Sequence, residues 1–164
     1  MLNWKSRGGL LRGFFVACAA LAACSSEPSV NLEDPKLIGI RWGMSEQDVL
    51  ERLGTPTRVE TDLGVEVGYG YGDRYVGFAL DPERVASVSN VVTTRPGDCF
   101  AGGLCIGDTL DVARAALGPA ELFPAAPDKP ALLNYLAPEH EACWLWIMTE
   151  DGATISELRM ACQP

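Results

Sequence analysis

The stretch Gly43–Pro56 reads GMSEQDVLERLGTP, and a second stretch, Gly107–Ala120, reads GDTLDVARAALGPA. Laid side by side without a gap, Gly43 meets Gly107, Ser45 meets Thr109, Leu53 meets Leu117 and Gly54 meets Gly118. Each copy carries the marks of a short helix. Ser45 is placed to cap the N–H groups of the first turn, and Asp48, three residues on, approximates a capping box. Val49, Leu50 and Leu53 share one face, Gly54 permits a left-handed cap, and Pro56 blocks continuation. In the second copy Thr109 caps, Asp111 suits the positive helix start, Leu110, Ala113 and Leu117 form the face, and Gly118-Pro119 ends it. Helices of two to three turns do not hold alone in water, so each must pack on something.

Alternating segments follow each helix. After the first come Val65–Tyr71, VEVGYGY, then Tyr75–Leu80 and Val85–Val92, the last two joined by the turn sequence Asp81-Pro82-Glu83-Arg84. After the second come Leu132–Leu136, Cys143–Met148 and Ile155–Met160. The predicted order is helix, three strands, loop, helix, three strands, with repeats over 37–98 and 99–164. Sequential antiparallel strands with helices on one face predict an α+β fold.

The residues of GMSEQDVLERLGTP resemble the G-M-x-x-x-x-V-x-x-x-x-G-x-P signature of the SmpA/OmlA/BamE family, small lipoproteins of the outer-membrane β-barrel assembly machinery. Two such units in tandem are similar to the β-lactamase inhibitor protein, which implies two related repeats sharing one curved sheet. The first resemblance implies a role in outer-membrane protein assembly or envelope integrity. The second implies an inhibitor or regulator of a periplasmic enzyme.

The front of the chain points to the same compartment. Residues 1–23 carry Lys5, Arg7 and Arg12, no acid, and an apolar run from Phe14 to Ala23, which make a secretory signal. The run ends in Leu21-Ala22-Ala23-Cys24, which resembles the bacterial lipobox and implies acylation of Cys24. The alternative is an ordinary signal peptide that leaves Cys24 as a thiol. With a lipid on Cys24, no transmembrane helix is needed for anchoring. Ser25 and Ser26, without Asp beside the cysteine, imply sorting to the outer membrane, facing the periplasm. Residues 24–36 then read as a polar tether.

Without residues 1–23 the three cations are lost, leaving 10 Lys and Arg against 22 Asp and Glu, a net charge of −12. No basic stripe remains to meet a phosphate backbone, so no nucleic-acid partner is expected.

Export also bears on the cysteines. Cys99, Cys105, Cys143 and Cys162 allow three connectivities in an oxidising compartment. Cys99–Cys105 closes a short loop containing two glycines, and Cys143 and Cys162 flank a hairpin turning near Asp151-Gly152, so that pairing is favoured. A zinc site is the rival, and no metal or other cofactor is expected.

If Cys143 faces Cys162, alternation puts Leu145, Ile147, Leu158 and Met160 on the disulfide face. Trp144, Trp146 and Met148 then share the other face with Glu157 and Arg159. Either the aliphatic face is buried and the tryptophans meet a partner, or the tryptophans fill the core. Tyr69 and Tyr71 are set opposite a flat face made by Gly68, Gly70 and Gly72. Trp144, Trp146, Tyr69 and Tyr71 are thus the candidate partner-binding residues.

Catalysis has little to stand on. The one histidine, His140, lies in APEHEA, read as a solvated connection. No G-x-S-x-G motif is present, and GYGYGDRY lacks the Lys-Ser/Thr of a P-loop. The expectation is a non-catalytic binding module for an envelope protein. A cell-wall or lipid hydrolase, a ligand-binding lipoprotein and a purely structural lipoprotein remain as other readings.

Overall fold

The computed structural model describes residues 29–162 apart from 63, 81–85, 128 and 141, and apart from the side chain of Glu66. Cys24 and the 1–23 leader lie outside the described residues. The elements run α1 (Glu46–Leu53), β1 (Arg58–Asp62), β2 (Val65–Gly70), β3 (Arg74–Leu80), β4 (Ala86–Thr93), α2 (Leu110–Leu117), β5 (Leu122–Phe123), β6 (Ala131–Leu136), β7 (Cys143–Thr149) and β8 (Glu157–Cys162). All eight strands form one antiparallel sheet in the order β1-β2-β3-β4-β8-β7-β6-β5.

This corrects the expected architecture. The fold is dominated by a single eight-stranded sheet with two short helices, and is not a pair of helix-plus-three-strand repeats. Two edge strands escaped the periodicity. β1, RVETD, is charged and mostly exposed, so it shows no apolar alternation. β5 has only two residues, too few for any period.

The echo between the two quoted stretches survives as two equivalent helix clamps. Gly43 N–H donates to the Val88 carbonyl and Val88 N–H to that of Met44, both at 2.9 Å. At the second helix, Gly107 N–H donates to Ile155 O at 3.0 Å and Ile155 N–H to Asp108 O at 2.8 Å. The caps form as the residues dictate. Asp48 N–H donates to Ser45 Oγ at 3.2 Å, Ser45 N–H donates back to the Asp48 carboxylate, and Val112 N–H donates to Thr109 Oγ1. The two helix stops differ from the expected left-handed cap. Gly54 has φ 79° and ψ −160°, and Gly118 has φ 93° and ψ 178°, a region open essentially to glycine alone.

Both helices cover the same sheet face. Val49, Leu110 and Ala113 pack there with Val76, Val91, Leu133, Leu145, Ile147, Leu158 and Met160 from the strands and with Leu37, Ile40, Phe100 and Leu104 from the connections. A salt bridge ties the start of β3 to the connection after β4. Arg74 Nε donates to Asp98 Oδ2 at 2.6 Å, its second guanidinium nitrogen pairs with Oδ1, and Thr93 Oγ1 donates to Oδ2 at 2.6 Å. Burial works to raise the Asp98 pKa, but the hydrogen bonds from Arg74 and Thr93 prevail and hold it below the usual carboxylate range.

Residues 29–36, expected to lie in the tether, are held against the domain. Ser29 N–H donates to Gly102 O at 3.0 Å, and Val30, which is buried, donates to Ala116 O at the end of α2. Gly102 sits at φ 106°, and a Cβ there would overlap the Ser29 carbonyl, so only glycine lets the segment pass. Among the described residues no helix is long and apolar enough to cross a membrane.

Candidate functional site: the helix-free face of the sheet

With the helices on one side, strand register defines what the other side carries. One row of cross-strand neighbours runs Leu136, Trp144, Ala161, Asn90, Gly77, Gly68, Glu60. The next runs Asn134, Trp146, Arg159, Val92, Tyr75, Gly70, Arg58. Beside these, Met148 pairs with Glu157 and Leu132, and Leu132 pairs with Phe123. The β5–β7 end is therefore apolar and aromatic, while the β1–β3 end is paved by glycines.

The two halves use this face differently. The Tyr75 ring lies across Gly68, where any Cβ would collide with it, and beside Gly77, where a Cβ would press on the ring at 3.2 Å. Its hydroxyl donates to Glu60 Oε2 at 2.9 Å. Burial, then that bond and the nearby charge, raises its pKa. This half is thus covered by its own side chains.

At the other end the surface is open. Leu136 is 60% exposed and Phe123 is 49% exposed, while Trp144 and Trp146 are half-buried. Two shallow grooves of about 290 and 420 Å³ meet at Leu132 and Trp146. The 124–130 connection walls both, and Ala126 and Lys129 within it exchange backbone hydrogen bonds. The Arg159 guanidinium lies 5.5 Å from the Trp146 ring centroid and pairs with Glu157 at 2.8 Å. Asn134 Oδ1, between Leu132 and Leu136, is buried without a hydrogen-bond partner.

Among the described side chains, charges on this face pair within single strands. Arg58 pairs with Glu60 on β1 and Arg159 with Glu157 on β8. Lys129 at the groove wall makes no ion pair with a described residue. Around Trp146, the described charges of this acidic chain thus amount to one ion pair and Lys129.

The sequence-derived candidates separate. Trp144 and Trp146 lie on the open face, and Leu145, Ile147, Leu158 and Met160 on the buried one. Tyr69 does not join them. It is 3% exposed and packs edge-on against Phe78 at 4.9 Å, so its place is in the core and not at a partner surface. Tyr71 is half-buried and its hydroxyl donates to Gly54 O, which makes it a latch on α1. Both tyrosines alternate away from the glycine face, as expected, but that direction leads to the helices. The disulfides join Cys99 to Cys105 and Cys143 to Cys162. His140 is half-buried and packs edge-on against Trp42 at 5.0 Å, so it does more than fill a solvated connection.

Sequence reasoning passed over Tyr75, Asn134, Leu136 and the 124–130 wall. The stretch PAAPDKP carries no sequence pattern that ties it to Trp146, and only the packing shows that it borders that ring.

No family model matches the chain, and no curated protein matches it. Among solved structures it is similar to a DUF4309 family protein, YjgB, of Bacillus subtilis subsp. subtilis str. 168, at 17% identity and a TM-score of 0.42, over 73% of this chain and 78% of that one. It is also similar to an extracellular protein containing a SCP domain from Bacillus anthracis str. Ames, at 12% identity and a TM-score of 0.46. That likeness covers 99% of this chain but only 50% of the other, so the chain spans half of that protein's length.

Proposed function

We propose that this is an exported, lipid-anchored envelope protein, held at the outer membrane through Cys24, that binds another protein without catalysing a reaction. The reading is carried by one observation: a contiguous apolar and aromatic patch, Trp144, Trp146, Leu132, Leu136 and Phe123, on a sheet face that no helix among the described residues covers. Half-buried aromatics with a charged rim have the make-up of interface centres. The partner is a polypeptide that presents an uncharged apolar side chain to the Trp146 grooves. The resemblance to barrel-assembly lipoproteins favours a scaffold in outer-membrane assembly. The alternative is inhibition or regulation of a periplasmic enzyme.

A photo-crosslinking amino acid at Leu136 tests this in intact envelopes, with the same group at Glu51 on α1 as reference. The expected result is one discrete adduct from position 136, lost in the Trp144→Ala/Trp146→Ala background and missing from position 51. Equal labelling from both positions, or an adduct that survives the double substitution, overturns the assignment. The adduct's identity separates assembly components from a soluble enzyme.

A further inference from the structure

Residues 29–36 lie outside every helix and strand, and three backbone hydrogen bonds tie them to the other described residues. Ser29 N–H donates to Gly102 O at 3.0 Å, Val30 N–H to Ala116 O at 3.4 Å, and Ala101 N–H to Lys36 O at 2.7 Å. Val30 and Pro35 are buried, while the other six are half-buried or exposed. Two further contacts stay inside the segment, Glu33 N–H to Asn31 Oδ1 and Lys36 to Asp34. Leu37 marks a boundary. It is fully buried, exchanges hydrogen bonds with Ile40 at 3.0 and 2.9 Å, and bridges to the buried Phe100.

Ordering eight residues costs backbone entropy at each of them, and little here offsets that cost. No strand pairing of the sheet runs through the segment, so its release leaves all eight strands paired. A stretch near a chain end with so few attachments belongs to the least stable part of a folded domain.

We propose that residues 29–36 form a strap that opens and closes as one unit on the folded sheet, giving the chain two tether lengths after Cys24. Closed, the domain holds the chain from Ser29, five residue steps beyond Cys24 and at most about 18 Å from it. Open, it holds the chain from Leu37, thirteen steps and at most about 47 Å away. With a lipid on Cys24, the closed domain stays near the bilayer and the open one carries the Trp144–Trp146 face to partners farther out. That consequence rests on the anchoring stated above; the opening does not.

Native-state amide hydrogen exchange on the mature chain with Cys24→Ala reads the opening without a lipid. The amides of Ser29, Val30 and Ala101, which donate the three strap bonds, should share one protection factor within about threefold. It should lie at least a hundredfold below that of the β7 amides. Low urea should lower protection in β7 and leave the strap unchanged, because opening exposes little surface. Gly102→Ala should lower the three strap values together by at least tenfold, with β7 still at least tenfold better protected. Strap amides within tenfold of β7 in the native chain, three unequal values, or no response to Gly102→Ala would each overturn the proposal. If the mature protein has no diacylglyceryl mass on Cys24, the longer reach falls with the anchor, while the exchange result and the crosslinking at Leu136 are each judged separately.

Discussion

The Tyr71 hydroxyl donates to the Gly54 carbonyl at 3.2 Å, across a sequence separation of 17. Tyr135 does the same to Gly118 O at 3.1 Å, at the same separation. Each tyrosine leaves the sheet beside a strand and fastens the glycine that stops a helix. Together with the clamps at Gly43 and Gly107, both ends of both helices are fixed to the sheet. This is how helices of only eight residues persist.

Removing either hydroxyl should therefore loosen one helix. Tyr71→Phe and Tyr135→Phe are each expected to cost about 1 kcal/mol in urea unfolding, with the more buried Tyr135 costing more. β2 and β6 lie five positions apart in the sheet, so the double variant should be additive within about 0.5 kcal/mol.

Gly102→Ala should release the docked N-terminal segment. Its Cβ would overlap the Ser29 carbonyl, and φ 106° strains any other residue. The variant should be cleaved by protease within 29–36 at least tenfold faster than the native chain, with the sheet intact by far-ultraviolet circular dichroism. Unchanged cleavage would mean that the segment is not held where Ser29 meets Gly102.

The Arg74–Asp98–Thr93 cluster sets an acid limit. The folded-state pKa of Asp98 is depressed, so its contribution is fully present above the unfolded-state value near 4 and is lost as pH falls below it. Asp98→Asn leaves the Arg74 guanidinium short of its anion and should cost about 3 kcal/mol at pH 7. The gap between native and variant stability should narrow from pH 5 to pH 3, as followed by chemical denaturation at each pH.

Reduction should act unequally. The Cys143–Cys162 bond closes a loop with a separation of 19, against 6 for Cys99–Cys105. Loop-closure entropy assigns about 3 kcal/mol to the first and about 2 kcal/mol to the second. Cys143→Ala/Cys162→Ala should lower the urea midpoint more than Cys99→Ala/Cys105→Ala.

What the sequence made legible follows signal strength. Caps, glycine stops and the six alternating strands announce themselves through side-chain chemistry that acts within a few residues. The grouping of β7 and β8 side chains into two faces also followed, because two cysteines that face each other fix the parity of their strands, but which of the two faces is buried did not. The edge strands did not, since β1 is charged and β5 has only two residues. Tyr69 misled for a related reason. Alternation shows that it opposes the glycines but not which side the helices take, and Phe78 and the core were on its side. The Trp146 grooves depend on where the 124–130 connection crosses the sheet, a long-range fact that no local pattern carries.

One consequence lies in the order of the strands. β4 and β8 are neighbours at the centre of the sheet, joined through Asn90–Ala161, Val91–Met160, Val92–Arg159 and Thr93–Leu158, yet about seventy residues separate them along the chain. A polypeptide made amino end first delivers β8 last of the eight strands. Until then β4 stands as a bare edge, and β7 lacks its neighbour on that side. The seam that joins the two halves is the last thing such a chain can close. A nascent molecule arrested before Glu157 would thus carry two strands, β4 and β7, each bare on a side that the finished protein covers, and cellular quality control has a feature by which to tell them apart.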